Sequence, residues 1–300
     1  MEVHVLLLVV ASATVHVAWN VMARLSGGSP RFAWLANLAG AAVLLPGFVA
    51  RRFLVPLPLE RELYVLAVWS AVFEALYFVL LHLAYSQTDL SIVYPLSRGL
   101  APVLALAPAR WWTGDAVQPR EIAGMAIVLV GCTCVAATHA PRTDDAAGRI
   151  RALRGISFAL LIGAATAAYQ LIDRRAMQSI PRSGELDYLF TMQLTLALLL
   201  TAWWWSRRGL RPKATFVAAQ RSGELRRALI AGLAIQLAYY LVLLALRDGN
   251  VALVAAARNV GIPLSLLAGT LVLRERIDRW RWIGALLIVG GVVLTVGAGH

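Results

Sequence analysis

The chain has 300 residues, of which 60% are hydrophobic and only 15% are charged. Soluble domains carry about 25% charged residues, so this composition excludes an ordinary soluble protein. The formal net charge of +12 does not indicate a nucleic-acid partner, because the arginines stand mostly in short runs between apolar segments, as in Arg51-Arg52 and Arg226-Arg227. Membrane proteins distribute the charge of their loops in this way.

The first apolar stretch follows Met1-Glu2-Val3 and continues to Ala23. It lacks the positive leader of a cleaved signal peptide, so we expect a retained first span. Nine further apolar runs follow, and such runs are helices because lipid cannot satisfy the hydrogen bonds of an open backbone. The sequence therefore predicts an all-α polytopic membrane protein of about ten transmembrane helices, near residues 3–23, 32–50, 63–85, 90–109, 121–139, 153–172, 186–205, 227–246, 250–272 and 280–298.

The spans fall into two related halves. When the chain is shifted on itself by about 150–161 positions, similar residues meet in the same order. His16, Trp19 and Asn20 meet Thr166, Tyr169 and Gln170; Ala84, Asp89, Val93 and Pro102 meet Ala245, Asn250, Val254 and Pro263; Gly124 and Gly131 meet Gly284 and Gly291. Each half holds five spans, an odd number, so the second half enters the membrane in the opposite orientation. We expect two inverted five-helix repeats, at residues 1–140 and 153–300, joined by a linker at 141–152.

Three blocks of residues carry a resemblance to a known family. They are His16-Val17-Ala18-Trp19-Asn20, the stretch from Leu90 to Pro102, and the stretch from Val251 to Pro263 followed by Arg274-Glu275-Arg276. With these blocks the chain resembles, over nearly its whole length, the EamA-like family of the drug/metabolite transporter superfamily. The resemblance implies a ten-helix, two-fold pseudo-symmetric transporter of the inner or plasma membrane, commonly an exporter of metabolites or amino acids, with both termini cytoplasmic.

The chain departs from this family pattern at two positions. Asn259 follows Arg258 where relatives often place an acidic residue, and the loop after span 4 reads Gly114-Asp115 rather than Gly-Glu. These departures leave the coupling ion and the charge of the substrate open. The orientation is open as well, because the loops on the side of the termini carry fewer Lys and Arg than the loops on the other side. The positive-inside rule therefore predicts outward-facing termini, against the implication of the resemblance.

Four ionisable groups lie inside predicted spans: His16, Glu74, Arg98 and Arg258. A charge at the centre of a span costs at least about 2.5–3.5 kcal/mol on insertion scales, so each group needs a partner or a function. Glu74 has three alternatives: an ion pair with Arg98, a partner in Arg258 of the other half, or a partly protonated state, which suits a proton-coupled exporter. A purely structural ion pair fits the sequence equally well.

Polar and aromatic residues at helical spacing define a candidate substrate site. Residues three or four positions apart share one helix face, and interhelical hydrogen bonding is the alternative role for such stripes. The two arginines precede Pro102 and Pro263, which free backbone carbonyls four residues earlier, and a guanidinium there favours a carboxylate or phosphate group on the substrate. The predicted substrate-binding residues are His16, Trp19, Asn20, Glu74, Tyr77, Tyr94, Arg98, Tyr169, Gln170, Gln236, Tyr239, Tyr240, Arg258 and Asn259.

Other polar and small residues are assigned to packing and to the membrane boundary. Asp173-Arg174-Arg175 is expected to end span 6 at the lipid headgroups. The glycines of spans 5 and 10, such as Gly284, Gly290 and Gly291, are expected to allow close helix packing.

Sequence motifs of enzymes are absent. The chain has no Walker-type glycine loop, no metal-ligand spacing and no Gly-x-Ser-x-Gly elbow, so we expect no catalytic residues, no metal and no cofactor. The residues and the resemblance favour a secondary transporter of a small polar metabolite, such as an amino acid or an organic anion, with protons as the candidate coupling ion. Its expected partners are the substrate and the lipid bilayer, and a monomer fits this interpretation. The alternative is a membrane-embedded enzyme or a flippase-like protein that acts on a lipid-linked substrate.

Overall fold

A computed structural model describes residues 1–25, 30–54, 61–88, 90–137, 146–182, 184–208, 219, 223–272, 274 and 277–296. Every secondary-structure element in these residues is helical. The helices are α1 (Val3–Leu25), α2 (Pro30–Leu54), α3 (Arg61–Gln87), α4 (Leu90–Pro108), α5 (Pro119–Ala137), α6 (Ala146–Ser179), α7 (Glu185–Arg208), α8 (Glu224–Asp248), α9 (Val251–Leu271) and α10 (Arg279–Thr295).

Within the described residues, nine helices, α1–α9, are long and apolar enough to cross a membrane. Helix α10 has 17 residues in the described part and packs along α5. The prediction of an all-α polytopic membrane protein is therefore confirmed. The division into repeats at 1–140 and 153–300 stays a prediction, and residues 141–145 of the predicted linker lie outside the described residues.

Helix α6 is longer than predicted at both ends. Its 34 residues measure about 51 Å at 1.5 Å per residue, against about 30 Å for the hydrocarbon core of a bilayer. The prediction stopped the span before Asp173 because a charge usually marks the membrane surface. The helix continues because Asp173 and Arg174 lie largely buried in protein and have polar partners there.

Contacts between the two halves occur in matching pairs. Helix α1 packs on α8 as α3 packs on α6, α2 packs on α8 as α3 packs on α7, and α1 packs on α9 as α4 packs on α6. Under the predicted repeat, each contact in these pairs is the image of the other. Three further contacts, α2 with α7, α4 with α9 and α5 with α10, join each helix to its own counterpart. This pattern is the one expected for two repeats around a pseudo-two-fold axis.

The contact between α5 and α10 gives the direction of that axis. A Cβ atom added at Gly124 would lie 2.7 Å from the carbonyl oxygen of Gly291, and one added at Gly131 would lie 2.7 Å from that of Gly284. The start of α5 therefore crosses the end of α10, so the two helices are antiparallel. A two-fold axis that relates antiparallel helices is perpendicular to them, as in inverted repeats.

The glycine prediction holds for most but not all of these positions. Gly284 and Gly291 allow the backbones of α5 and α10 to approach closely, as small residues do in membrane helices. The prediction is wrong for Gly290, where an added Cβ would meet nothing within 4 Å. Gly290 is one position around the helix from the contact face, on the side that points away from α5.

Both arginine-bearing helices contain prolines and have an irregular turn, which lies after Pro108 in α4 and at Arg258 itself in α9. Helix α4 contains Pro95, Pro102 and Pro108 and continues into a π-helical turn at Ala109–Thr113. Helix α9 changes to a 3₁₀ turn at Arg258–Val260, just before Pro263. Because a proline ring removes one backbone hydrogen bond and crowds the preceding turn, these sequences explain why regular α-helix is interrupted inside the bundle.

Candidate functional site

Ionisable and aromatic side chains from six helices converge between the two halves. They come from α1, α3, α4, α6, α8 and α9, the spans predicted to line a substrate site. We call this set the central cluster; its members are His16, Glu74, Tyr77, Tyr94, Arg98, Tyr169, Asp173, Tyr239 and Arg258.

Glu74 lies between charges of the opposite half. It interacts electrostatically with Asp173 on α6 and with Arg258 on α9. Its Oε2 atom is buried and has no hydrogen-bond partner, and the same is true of Nη1 of Arg258. Of the alternatives that the sequence left open for Glu74, the geometry favours an interaction with Arg258 in which both groups keep free hydrogen-bonding capacity.

Each membrane arginine lies over an aromatic ring of its own half. The guanidinium carbon of Arg98 is 5.1 Å from the ring centroid of Tyr94, and that of Arg258 is 6.0 Å from the ring centroid of Tyr239. Such cation–π contacts hold a guanidinium by its face and leave the N–H groups at its edge available. The arrangement suits recognition of an anionic group by the N–H edge.

The stripe on α1 faces these arginines. Nε1 of Trp19 donates a hydrogen bond of 3.2 Å to Nδ1 of His16, and the two rings form an edge-to-face pair with centroids 5.4 Å apart. His16 interacts electrostatically with Arg98 and Arg258. Asn20, one turn further along, is half-buried. His16 therefore faces the central cluster with Trp19 bonded to it, and the place of Asn20 in the site stays a prediction.

The stripe on α6 meets α3 from the other side. The rings of Tyr169 and Tyr77 form an edge-to-face pair with centroids 6.4 Å apart. Both tyrosines interact electrostatically with Arg98. Gln170 is buried, and its Oε1 atom has no hydrogen-bond partner. This unpaired acceptor lies one position after Tyr169 on α6.

Asn259 connects the two halves instead of presenting its amide to an open space. Its Nδ2 atom donates to the carbonyl oxygens of Arg98 and Ala255, each at 3.3 Å, and its Oδ1 lies 3.9 Å from Sγ of Cys132. The carbonyl of Arg98 is the one that Pro102 frees from the helix. The amide of Asn259 thus binds the carbonyl oxygen of Arg98, which we expected to be free for other partners.

Two of the predicted site residues on α8 are directed away from the central cluster. Gln236 faces α2 and α7: a Cβ atom added at Gly40 would lie 2.6 Å from its Nε2 and 3.4 Å from Nε2 of Gln193. Tyr240 lies towards the end of α8, where it interacts electrostatically with Glu185 and Arg247. Of the stripe predicted on this helix, the structure brings only Tyr239 to the cluster.

Asp173 is the functional candidate that the sequence reading missed. Its side chain is completely buried and accepts hydrogen bonds from Ser70 Oγ at 2.6 Å, from Tyr188 OH at 2.6 Å and from Tyr239 OH. The expectation that Asp173 lies at the headgroups is therefore wrong. A signal was present, because Asp173 follows Tyr169 by four positions and so shares its helix face.

A layer of buried ion pairs covers the central cluster on one side of the membrane. The backbone nitrogen of Met1 lies 3.1 Å from the carbonyl oxygen of Thr295, so both chain ends lie on this side, which we call the termini side. The layer consists of three ion pairs between largely buried side chains, and we call it the termini-side layer: Arg51–Asp187 at 2.5 Å, Arg174–Asp115 at 2.9 Å and Arg247–Glu185 at 2.9 Å.

Backbone groups strengthen this layer. Arg174 also donates to the carbonyl oxygens of Leu246 and Arg247, at 2.6 and 2.8 Å, at the end of α8. Arg247 donates to the carbonyl oxygen of Ile180 at 2.9 Å, after the end of α6. Buried ion pairs are stable only when further hydrogen bonds satisfy them, and these carbonyls supply such bonds to Arg174 and Arg247. In the third pair, Nη2 of Arg51 and Oδ1 of Asp187 have no hydrogen-bond partner. The layer joins α2, α6, α7, α8 and the segment before α5.

Comparison with known proteins agrees with this architecture. Residues 153–297 match the EamA-like transporter family. The chain is similar to the crystal structure of another protein, with a TM-score of 0.72 over 98% of this chain and 98% of the other chain, at 19% sequence identity. This likeness supports the fold alone. No curated protein sequence matches the chain.

Proposed function

We propose that this chain, whose residues 153–297 match the EamA-like transporter family, is a secondary active transporter that exports a small polar metabolite. Amino acids and organic anions are the candidate substrate classes. We place this multi-pass protein in the inner or plasma membrane. Its proposed role is transport and not catalysis. A monomer suffices, because one chain supplies every member of the central cluster.

The observation that carries this proposal is the set of unsatisfied polar groups at the junction of the two halves. Glu74, Gln170 and Arg258 each hold a buried atom without a hydrogen-bond partner. An unpaired polar atom away from water costs about 1–3 kcal/mol, and membrane proteins usually place such groups on substrate or ion pathways. A bound polar substrate would supply the missing partners.

The charges of the cluster suggest how a substrate binds. Arg98 and Arg258 present guanidinium edges that suit a carboxylate or phosphate. Glu74 is the candidate group for a substrate amine or, in its absence, for a coupling proton. The aromatic surfaces of Tyr77, Tyr94 and Tyr169 suit an apolar or flat part of the same molecule.

Alternating access follows from the inverted arrangement. The termini-side layer separates the central cluster from one side of the membrane, so in this conformation the substrate enters from the opposite side. In a second conformation, each half adopts the arrangement that the other half has here, and the termini side opens. Such rocking around a fixed site near the midplane is expected for inverted repeats. The energy comes from the coupling ion or from substrate exchange.

Flux in liposomes tests this proposal. Purified protein is first screened for thermal stabilisation by amino acids and carboxylates, because a ligand that binds only the folded state raises its apparent stability. The best radiolabelled compound is then followed in counterflow at several pH values. We expect Glu74→Gln to reduce the pH dependence of the flux and Arg98→Gln to reduce the initial rate roughly tenfold or more, as removal of a charge-assisted hydrogen bond predicts.

Matched controls are available on the same helices. Glu62→Gln, at the exposed start of α3, and Arg110→Gln, in the exposed π-helical turn after α4, remove the same charges outside the cluster and should leave flux unchanged. If Glu74→Gln and Arg98→Gln both retain wild-type flux and pH dependence, the assigned roles are wrong.

A further inference from the structure

Asp173 joins four helices at the boundary between the central cluster and the termini-side layer. We propose that Asp173 is a positioning residue: its ionised carboxylate holds the termini side closed, and uptake of a proton by this carboxylate releases it. The inference rests on the proposed function, because it assigns a second group, separate from the candidate substrate or proton site at Glu74, whose protonation controls alternating access.

The hydrogen bonds of Asp173 come from three different helices. Ser70 on α3 and Tyr188 on α7 both donate to Oδ1, at 2.6 Å each, and Tyr239 on α8 donates to Oδ2. Ser70, Tyr188 and Asp173 are completely buried. A carboxylate away from water needs such donors to remain ionised, and in exchange its charge holds α3, α7 and α8 against α6.

Protonation changes this junction because it changes the number of donors and acceptors. The ionised carboxylate accepts three hydrogen bonds from hydroxyl groups and donates none. The three hydrogen bonds leave one lone pair free, on Oδ2. A proton that binds there turns the acceptor of Tyr239 into a hydroxyl oxygen, which is a poorer acceptor, so the Tyr239 bond weakens most. The remaining bonds become neutral and are about half as strong as charge-assisted ones. At least one of the three helices is then held less firmly.

The next residue links this junction to the termini-side layer. Arg174 contacts Asp115 at 2.9 Å and the carbonyl oxygens of Leu246 and Arg247 at the end of α8. Helix α8 also carries Tyr239, which binds Asp173. A shift of α8 relative to α6 that follows loss of the Tyr239 contact therefore strains the Arg174 contacts, and the layer opens.

The same tyrosine links the junction to the substrate site. The hydroxyl of Tyr239 binds Asp173, while its ring lies beneath Arg258. The titratable or charged groups that face Asp173 from the packed helices are Glu74 on α3, Tyr188 on α7, Tyr239 on α8 and Arg258 on α9. Arg98 on α4 belongs to the same cluster and interacts with Tyr169, one turn before Asp173.

Hydrogen–deuterium exchange of the full-length protein in lipid nanodiscs tests the inference without substrate. Exchange is compared at about pH 6 and about pH 8 after correction for the intrinsic rates, at residues 176–180 and 246–251. We expect faster exchange at the lower pH in the wild type. Asp173→Asn should exchange roughly tenfold faster at both pH values, as loss of a charge-assisted hydrogen bond predicts, with no remaining pH dependence.

A second variant keeps the test decisive if Asp173→Asn fails to fold. Tyr188→Phe removes one donor and leaves the carboxylate, so it should give an intermediate rate and retain the pH dependence. The inference is overturned if the wild type shows no pH dependence at these segments, or if Asp173→Asn retains it. Uniformly faster exchange, including the α5–α10 crossing, would instead assign Asp173 a purely structural role. Because flux is not measured here, loss of this inference leaves the liposome test unaffected.

Discussion

The two buried carboxylates, Asp173 and Glu74, differ in how their oxygens are satisfied. Both Asp173 oxygens accept hydrogen bonds from hydroxyl groups, whereas Oε2 of Glu74 has no hydrogen-bond partner. This difference separates their proposed roles. Asp173 is held by the protein and positions helices, while Glu74 has free capacity for a substrate amine or a proton.

At the residue scale, the sequence identified charges that the structure brings together, and their role in binding stays a prediction. Glu74, Arg98 and Arg258 stand alone in apolar runs, so the cost of burial marked them as site candidates. Asp173 stands beside Arg174-Arg175 and resembled the charged end of a span. The error arose because the sequence does not show that protein, rather than headgroups, surrounds the end of α6.

Removal of the smallest donor to Asp173 tests the structural part of this account. We expect Ser70→Ala to lower the free energy of unfolding by about 1.5–3 kcal/mol, the typical value of a hydrogen bond to a charged group. The measurement is an unfolding titration in mixed micelles.

Ser157→Ala is the control, because Ser157 is exposed and bonds only to the carbonyl of Leu153 within its own helix. Equal stability of the two variants would contradict the role of Ser70 as a donor to a buried charge.

At the scale of helices, the spans were predictable and their neighbours were not. Apolar length identified each helix, and spacing identified shared faces. Gln236 and Tyr239 share a face by spacing, yet Gln236 faces α2 while Tyr239 reaches Asp173. A helix face is wide enough to contact two neighbours, so tertiary packing decides which of its residues reach a site.

The crossing of α5 and α10 gives a prediction about packing. Gly131→Ala should destabilise the protein by about 1–3 kcal/mol, as expected for overpacking, because the new Cβ would lie 2.7 Å from a backbone oxygen that cannot move independently.

Gly290→Ala on α10 is the matched control, since its Cβ would meet nothing within 4 Å. It should be neutral or slightly stabilising, because alanine favours helix over glycine by about 1 kcal/mol. Thermal unfolding of both variants in the same detergent measures the difference. A neutral Gly131→Ala would contradict the close crossing.

At the scale of the whole molecule, the contacts between the two halves stay the same when one half is interchanged with the other. The antiparallel crossings of α5 with α10 and of α2 with α7 indicate an axis perpendicular to the helices. The sequence predicted this inversion from the odd number of spans per half. It did not predict which side is closed, because the termini-side layer is built from charges that resemble ordinary loop arginines and carboxylates.

Distances between spin labels on the two membrane sides test the central claim of alternating access most directly. One pair is placed at Gln118 and Arg182 on the termini side, and the other at Ser86 and Arg279 on the opposite side, in a background without Cys132 and Cys134; all four label positions are exposed. At about pH 8 we expect one short termini-side distance. At about pH 6, as proton uptake shifts the population, a longer termini-side distance should appear while the opposite pair shortens. Distances that stay constant on both sides, or that increase together, would contradict the account.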